Sequence, residues 1–362
     1  MVLLHKLKAA SDQLFNASKA DDTVSVNKVS LDTLDEAHRK PVVKAILNIL
    51  STELAESTYC QIVDGLPLAV VYDEAYCDSL LDAKHPAYQH ESLCPGVVGE
   101  ARDLYSEFAP ALLQFEISAS LSQLARPSRI TNRCYQVLSR YQAASPGSQL
   151  FNTLLVEITA LSIHQIAVRL FNLDTSRHKA DNVASWTPPK ENESWWRFNP
   201  DGPLPTLFCH SWYTDYEEYP EGVADMVGFW AENRILGGVI LFDRATPDSD
   251  AVYIHPDWKD VTYRICKLLD AQKQDLLDFL QSESPQCARS LPIRPNGLNL
   301  VRVDPEESIA LTKVYRNIWE RKPPPEYAGD ERSGDVYDPL NFPTMSDQYD
   351  ARSRWRTRFD RY

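Results

Sequence analysis

The stretch from Phe151 to Asn172 constrains this chain more than any other. Leu154, Leu155, Ile158, Leu161, Ile166, Leu170 and Phe171 cover most of a helix's circumference instead of one stripe. A helix that is apolar all round has to be enclosed, so the rest of the chain must build a core about it. Glu157, His164 and Arg169 break the run, which argues against a bilayer span of roughly 20 apolar residues. A single His on such a helix reads as a hydrogen-bonded core residue, and His164 receives no catalytic role.

At 362 residues the chain has material for about two domains, enough to enclose that helix without disulfides. Its 12 Gly against 24 Pro, with no GxGxxG or GxxxxGKS/T, exclude a glycine-rich phosphate cradle. No cofactor is expected. Seven cysteines without a CxxC pair read as reduced thiols. The apolar start, Val2 to Leu4, is too short for a secretion signal, so a cytoplasmic protein with no membrane partner is expected. A net charge of −14 opposes binding to phosphate backbones. The tail carries the opposite sign: Arg352, Arg354, Arg356, Arg358 and Arg361 alternate with Trp355 and Phe359. Such a tail either contacts nucleic acid or docks on an acidic surface, and docking is the favoured reading.

The fold class expected is α/β or α+β, with a mainly helical N-terminal half packed on a small mixed sheet from the C-terminal half. An extended Pro-rich segment follows. The organisation is a mainly helical region over 1–148, a mixed α/β core over 149–282 and a wrapping segment over 283–362. Helices are expected over Pro41–Glu56, Gly99–Ala125 and Val223–Asn233, and Leu66–Tyr72 fits either a strand or a helix. Strands are expected over Thr206–Tyr213, Gly238–Phe242 and Ala251–His255. Val261, Ile265, Leu268, Leu269, Leu276, Phe279 and Leu280 predict one amphipathic helix, and Ile309–Arg321 a capped one.

Chemistry concentrates in the run from Cys209 to Gly222 and the helix after it, which gather Asp215, Glu217, Glu218, Asp225 and Glu232. Asp225 and Glu232 are seven apart and share one helix face. Carboxylates so grouped can serve as a general base, hold a divalent cation or grip a cationic substrate through paired hydrogen bonds. Solvated acids in a loop are the ordinary alternative. His210, His255 and Asp215 lack any characteristic ligand spacing, and no metal is assigned.

The run from Tyr213 to Arg244 resembles the signature block of a large family of ascomycete proteins, most of them uncharacterised. The similarity continues through Tyr253-Ile-His-Pro, Val261-Thr-Tyr-Arg264, Val301-Arg-Val-Asp-Pro-Glu-Glu307 and Tyr315-Arg-Asn-Ile-Trp-Glu-Arg321, covering roughly the second half of the chain. The nearest activity is that of fungal arginine-containing cyclodipeptide synthases, which join two aminoacyl groups from charged tRNAs into a diketopiperazine and depend on a DDxxE motif. Thr214-Asp-Tyr-Glu-Glu218 is the best match, with Thr214 in place of the first acid. The resemblance implies Asp215 and Glu218 as catalytic residues, with Thr214, Glu217, Asp225 and Glu232 as substrate-binding ones. Its implied partners are aminoacyl-tRNA and a small amino-acid-derived substrate. In this chemistry Glu218 acts as base or amine holder, and Asp215 orients the substrate or accepts a guanidinium. A non-catalytic binding protein on the same scaffold, or another enzyme of specialised metabolism, is the alternative. Magnesium-dependent chemistry on a diphosphate draws support only from the acidic cluster.

Overall fold

Side-chain caps set where several of the helices begin. A computed structural model describes residues 29–31, 34–75, 81–107, 114–115, 131–283, 291–322 and 338–359. Val29–Ser30 (β1) pairs antiparallel with Gln114–Phe115 (β2). Asp35 Oδ1 accepts the His38 N–H at 3.0 Å and opens α1 (Glu36–Leu50). The helix expected through Glu56 breaks at Thr52, whose Oγ1 accepts the Ala55 N–H at 3.1 Å and starts α2 (Glu53–Asp64). Gly65, at φ 101°, ends α2 in the left-handed conformation. Leu66–Tyr72 enters a helix, α3 (Ala69–Glu74). α4 (Val97–Glu107) covers the start of the expected Gly99–Ala125 helix, and Pro110 lies outside the described residues. α5 (Thr131–Ala143) follows, and Ser148 Oγ caps α6 (Gln149–Asn172) through the Phe151 N–H.

α6 is the enclosed helix that its sequence demands. It is long and apolar enough to cross a membrane, yet the apolar window that qualifies is 78% buried within the protein. Beyond α7 (Glu193–Phe198), α8 (Val223–Leu236) is also buried on nearly all sides and packs along α6. Gly228 makes their contact close, because a Cβ there would stand 2.5 Å from the His164 ring. Gly237, at φ 100°, ends α8.

The sheet is antiparallel throughout, where a mixed one is the expectation, and runs in the order β6-β5-β4-β3-β7. β3 (Val239–Asp243) and β4 (Val252–His255), two of the expected strands, form an antiparallel hairpin with Ile240 opposite Ile254. β5 (Ile265–Lys267) pairs with β4, so the expected helix from Val261 is a strand at its start and a helix, α9 (Asp270–Gln281), only at its end. The β-branched Ile265 and a strand edge to pair with override the helical spacing there. β6 (Arg302–Val303) and β7 (Val314–Tyr315) come from the Pro-rich segment and occupy the two edges. That segment therefore wraps the sheet from both sides. In place of the expected helix over Ile309–Arg321 it makes one wide turn, Ser308–Thr312, before β7. α10 (Met345–Phe359) contains the start of the Arg-rich tail, whose side chains from residue 354 lie outside the described residues.

Thr206–Tyr213 is not a strand. Its groups are met by side chains instead of a ladder. Thr206 Oγ1 accepts the Phe208 N–H, Asp257 accepts the Ser211 N–H, and His210 Nδ1 accepts the Trp212 N–H. Alternate residues of the sheet face opposite ways, as a period of two requires. Ile240, Phe242, Ile254 and Cys266 join the helical core, while Val239, Leu241, Tyr253 and Ile265 meet Tyr213, Tyr219 and Met226. The acidic loop is thus laid across the second face of the sheet.

Candidate functional site

The six residues singled out from the sequence divide into an outer group of four and an inner group of two. Asp215 begins a short 3-10 turn, Tyr216–Glu218, that leads towards α8. Its N–H donates to Tyr219 Oη at 3.2 Å, and Tyr219 Oη donates to the Glu320 carbonyl at 3.0 Å. Its Oδ2 accepts the Lys322 N–H at 2.6 Å. The loop is therefore tied to the segment after β7. Lys322 Nζ stands 3.9 Å from both Asp215 Oδ1 and Glu217 Oε2, so a cation already sits between two of the acids. Glu217 and Glu218 are exposed, and Thr214 and Asp215 are half-buried. Any other cation, a metal ion or a substrate's amine or guanidinium, has to displace that exposed side chain to reach both acids.

Asp225 and Glu232 share a helix face, as their spacing predicts, but that face points inward onto His164 of α6. His164 Nε2 is 2.9 Å from Asp225 Oδ1 and His164 Nδ1 is 2.8 Å from Glu232 Oε1. With a carboxylate at each nitrogen, both must donate, so the ring is an imidazolium. Burial works against the charge, yet the hydrogen bonds to Asp225 and Glu232 outweigh it and raise the His164 pKa. Arg316 forks onto Glu232, Nη1 to Oε2 at 2.7 Å and Nη2 to Oε1 at 2.8 Å. Burial pushes the Glu232 carboxyl up, but the Arg316 guanidinium and the His164 bond hold it below its ordinary range. The sequence reading gives these two acids to substrate, but in the structure their oxygens are taken by His164, Arg316 and, for Asp225 Oδ2, the Glu221 N–H at 2.8 Å, with Asp225 2% and Glu232 0% exposed.

The network extends toward the loop. Glu320 Oε2 accepts the N–H groups of Arg316 and Asn317, and its Oε1 is 3.2 Å from Arg321 Nη2. Arg321 Nη1 donates to His255 Nδ1 at 2.9 Å and to Tyr213 Oη at 3.1 Å, and Nη2 donates to Ser308 Oγ at 2.7 Å. His255 then donates from Nε2 to the Tyr263 carbonyl at 3.0 Å and is neutral. Burial, with Arg321 and His210 beside it, holds its pKa well below the ordinary value. Within this network three acids, Asp225, Glu232 and Glu320, interleave with three basic side chains, His164, Arg316 and Arg321. Arg316, Glu320 and Arg321 receive no role from the sequence, because the helix expected over Ile309–Arg321 is in fact a turn and β7, which carry these side chains to the buried acids. The pairing of His164 with α8 carries no sequence signal beyond the small residue, Gly228, that admits its ring.

A cleft of about 310 Å³ lies elsewhere, lined by Arg140, Glu157, Arg244 and Asp248 among others. None of Thr214, Asp215, Glu217 and Glu218 lines it. Comparisons with protein-family models, curated proteins and solved structures return no match.

Proposed function

We propose that the chain is an aminoacyl-transfer enzyme like the fungal arginine-containing cyclodipeptide synthases, working at the ledge formed by Asp215, Glu217 and Glu218. The observation that carries this reading is the Lys322 ammonium poised between Asp215 and Glu217 on a loop tied to the segment after β7. A ledge that holds an ammonium also suits an amine or a guanidinium, and two carboxylates can share a guanidinium's donors. Thr214 takes the place of an acid and offers a hydroxyl to the same substrate.

In the reaction, the α-amine of one aminoacyl ester attacks the carbonyl carbon of the other. A C–N bond forms, the ester C–O bond breaks, and the ribose hydroxyl of the tRNA leaves. Glu218 takes the proton from the attacking amine and returns it to the leaving oxygen, so no net proton is consumed. A second attack of the same kind closes the ring. Asp225 and Glu232 serve as supports, setting where α8 and the segment carrying Arg316 hold the loop.

Mass spectrometry of extracts from yeast expressing the chain, beside Glu218→Gln, tests the proposal. An arginine-containing cyclic dipeptide present only with the wild type is expected. Full product with Glu218→Gln removes that residue from the mechanism. The exposure of Glu217, 72% at its side chain, favours a second reading, the binding of a basic partner without chemistry. That reading gives no product from either protein, together with a partner that Glu218→Gln releases.

A further inference from the structure

Away from the ledge, four metal-ligating side chains converge on one point. Asp64 ends α2, His90 follows a 3-10 turn over Pro86–Gln89, Cys94 precedes α4, and His178 lies in the loop after α6. One ligand atom from each lies within 4.8 Å of the others. Asp64 Oδ2 is 3.2 Å from His90 Nε2, Asp64 Oδ1 is 3.7 Å from His178 Nε2, and Cys94 Sγ is 3.5 Å from His178 Nε2. Ligand atoms about 2.0–2.3 Å from a tetrahedral zinc stand about 3.3–3.8 Å apart, so these three separations, two of them through different Asp64 oxygens, are close to tetrahedral edges.

The hydrogen bonds behind the four groups point the same way. His90 Nδ1 is 3.0 Å from the Pro67 carbonyl, which fixes the proton on that nitrogen. His178 Nδ1 is 2.5 Å from Asp181 Oδ2, the carboxylate–imidazole pair that orients a metal-bound His. Both Nε2 atoms then turn lone pairs inward. The Asp64 side chain is 0% exposed and that of His90 is 9% exposed, yet Asp64 Oδ1 and His90 Nε2 have no hydrogen-bond partner. Asp64 Oδ2 also accepts the Cys94 N–H at 3.0 Å, which leaves Oδ1, toward His178, without a donor. An unpartnered carboxylate oxygen and an unpartnered imidazole nitrogen shielded from solvent in one cluster are costly unless a cation lies between them.

We infer that Asp64, His90, Cys94 and His178 bind one zinc ion, in a site independent of the ledge. Two imidazoles, a thiolate and a carboxylate suit a borderline ion. Four protein ligands close the tetrahedron, which makes the ion a structural clamp. It fastens the 86–96 and 173–182 loops to the end of α2. Gly65 assists, since a Cβ there would stand 1.9 Å from Ser176 Oγ.

The test is metal analysis of the untagged full chain, followed by replacement of the metal with Co²⁺. Close to one zinc per chain is expected, with a thiolate-to-cobalt absorption band that Cys94→Ser removes. Asp181→Asn leaves all four ligands in place and is expected to weaken zinc about 10–100-fold in chelator competition, which keeps the proposal testable if Cys94→Ser does not fold. Folded wild type that takes up less than about a tenth of an equivalent of zinc from a zinc-containing buffer overturns the assignment. So does a cobalt complex without a thiolate band, or zinc affinity unchanged in Asp181→Asn.

Discussion

His164 shows how one side chain links the apolar core to the candidate site. Its ring is T-shaped against Phe229 at 4.7 Å, and Phe229 stacks on Tyr213, the residue at the base of the acidic loop, at 4.3 Å. Its two nitrogens donate to Asp225 and Glu232, placing one positive charge between the two acids. His164→Gln removes that charge and leaves buried acids under-paired, so a loss of about 3–5 kcal/mol is expected in chemical denaturation. The loss depends on pH. A His whose pKa is raised by folding contributes stability fully below its ordinary value of 6.5, and that contribution fades as pH rises through the folded pKa. The deficit of His164→Gln should therefore be largest in mildly acid buffer and shrink in alkaline buffer; a deficit that grows with pH contradicts the imidazolium. His255 acts in the opposite sense. Buried neutral, it loses to the unfolded chain as pH falls below 6.5, so removing it should flatten the acid side of the stability curve.

Among elements, the pair α6 and α8 sets the geometry. Gly228→Ala gives the usual helix preference of about 1 kcal/mol, but the new methyl meets a ring held at both nitrogens. A net loss of stability of about 1–3 kcal/mol is expected from overpacking. A thermal midpoint equal to or above that of the wild type would show that the ring yields. α6, α8, the β3–β4 hairpin and the wrapping of the Pro-rich segment are legible in the sequence because periodicity and turn residues agree there. Elsewhere local signals mislead. Ile265–Lys267 lies within a helical spacing but pairs with β4, and Thr206–Tyr213 alternates like a strand but is held by side-chain hydrogen bonds. The acid cluster is legible as a cluster. Its division into an exposed ledge and a buried network is not, because Arg316 and Glu320 reach Glu232 and the loop from more than 80 residues away.

In the whole molecule, the segment after residue 291 closes both edges of the sheet and supplies Arg316, Glu320 and Arg321 to the network. Asn341 adds a bond to Thr262 Oγ1 at 2.9 Å, and Phe342 lies under the Arg264 guanidinium at 4.5 Å. A chain ending at residue 299 should lose cooperative unfolding and near-ultraviolet circular dichroism together. Its retention of both would mean that the sheet and the buried charges stand without that segment. We propose that the acidic ledge performs aminoacyl transfer, and purified protein incubated with arginyl-tRNA and a mixture of other aminoacyl-tRNAs tests this most directly, by mass spectrometry of the products. An arginine-containing cyclic dipeptide from the wild type and none from folded Glu218→Gln is the predicted result; no such product from folded wild type, or equal product from both, contradicts it.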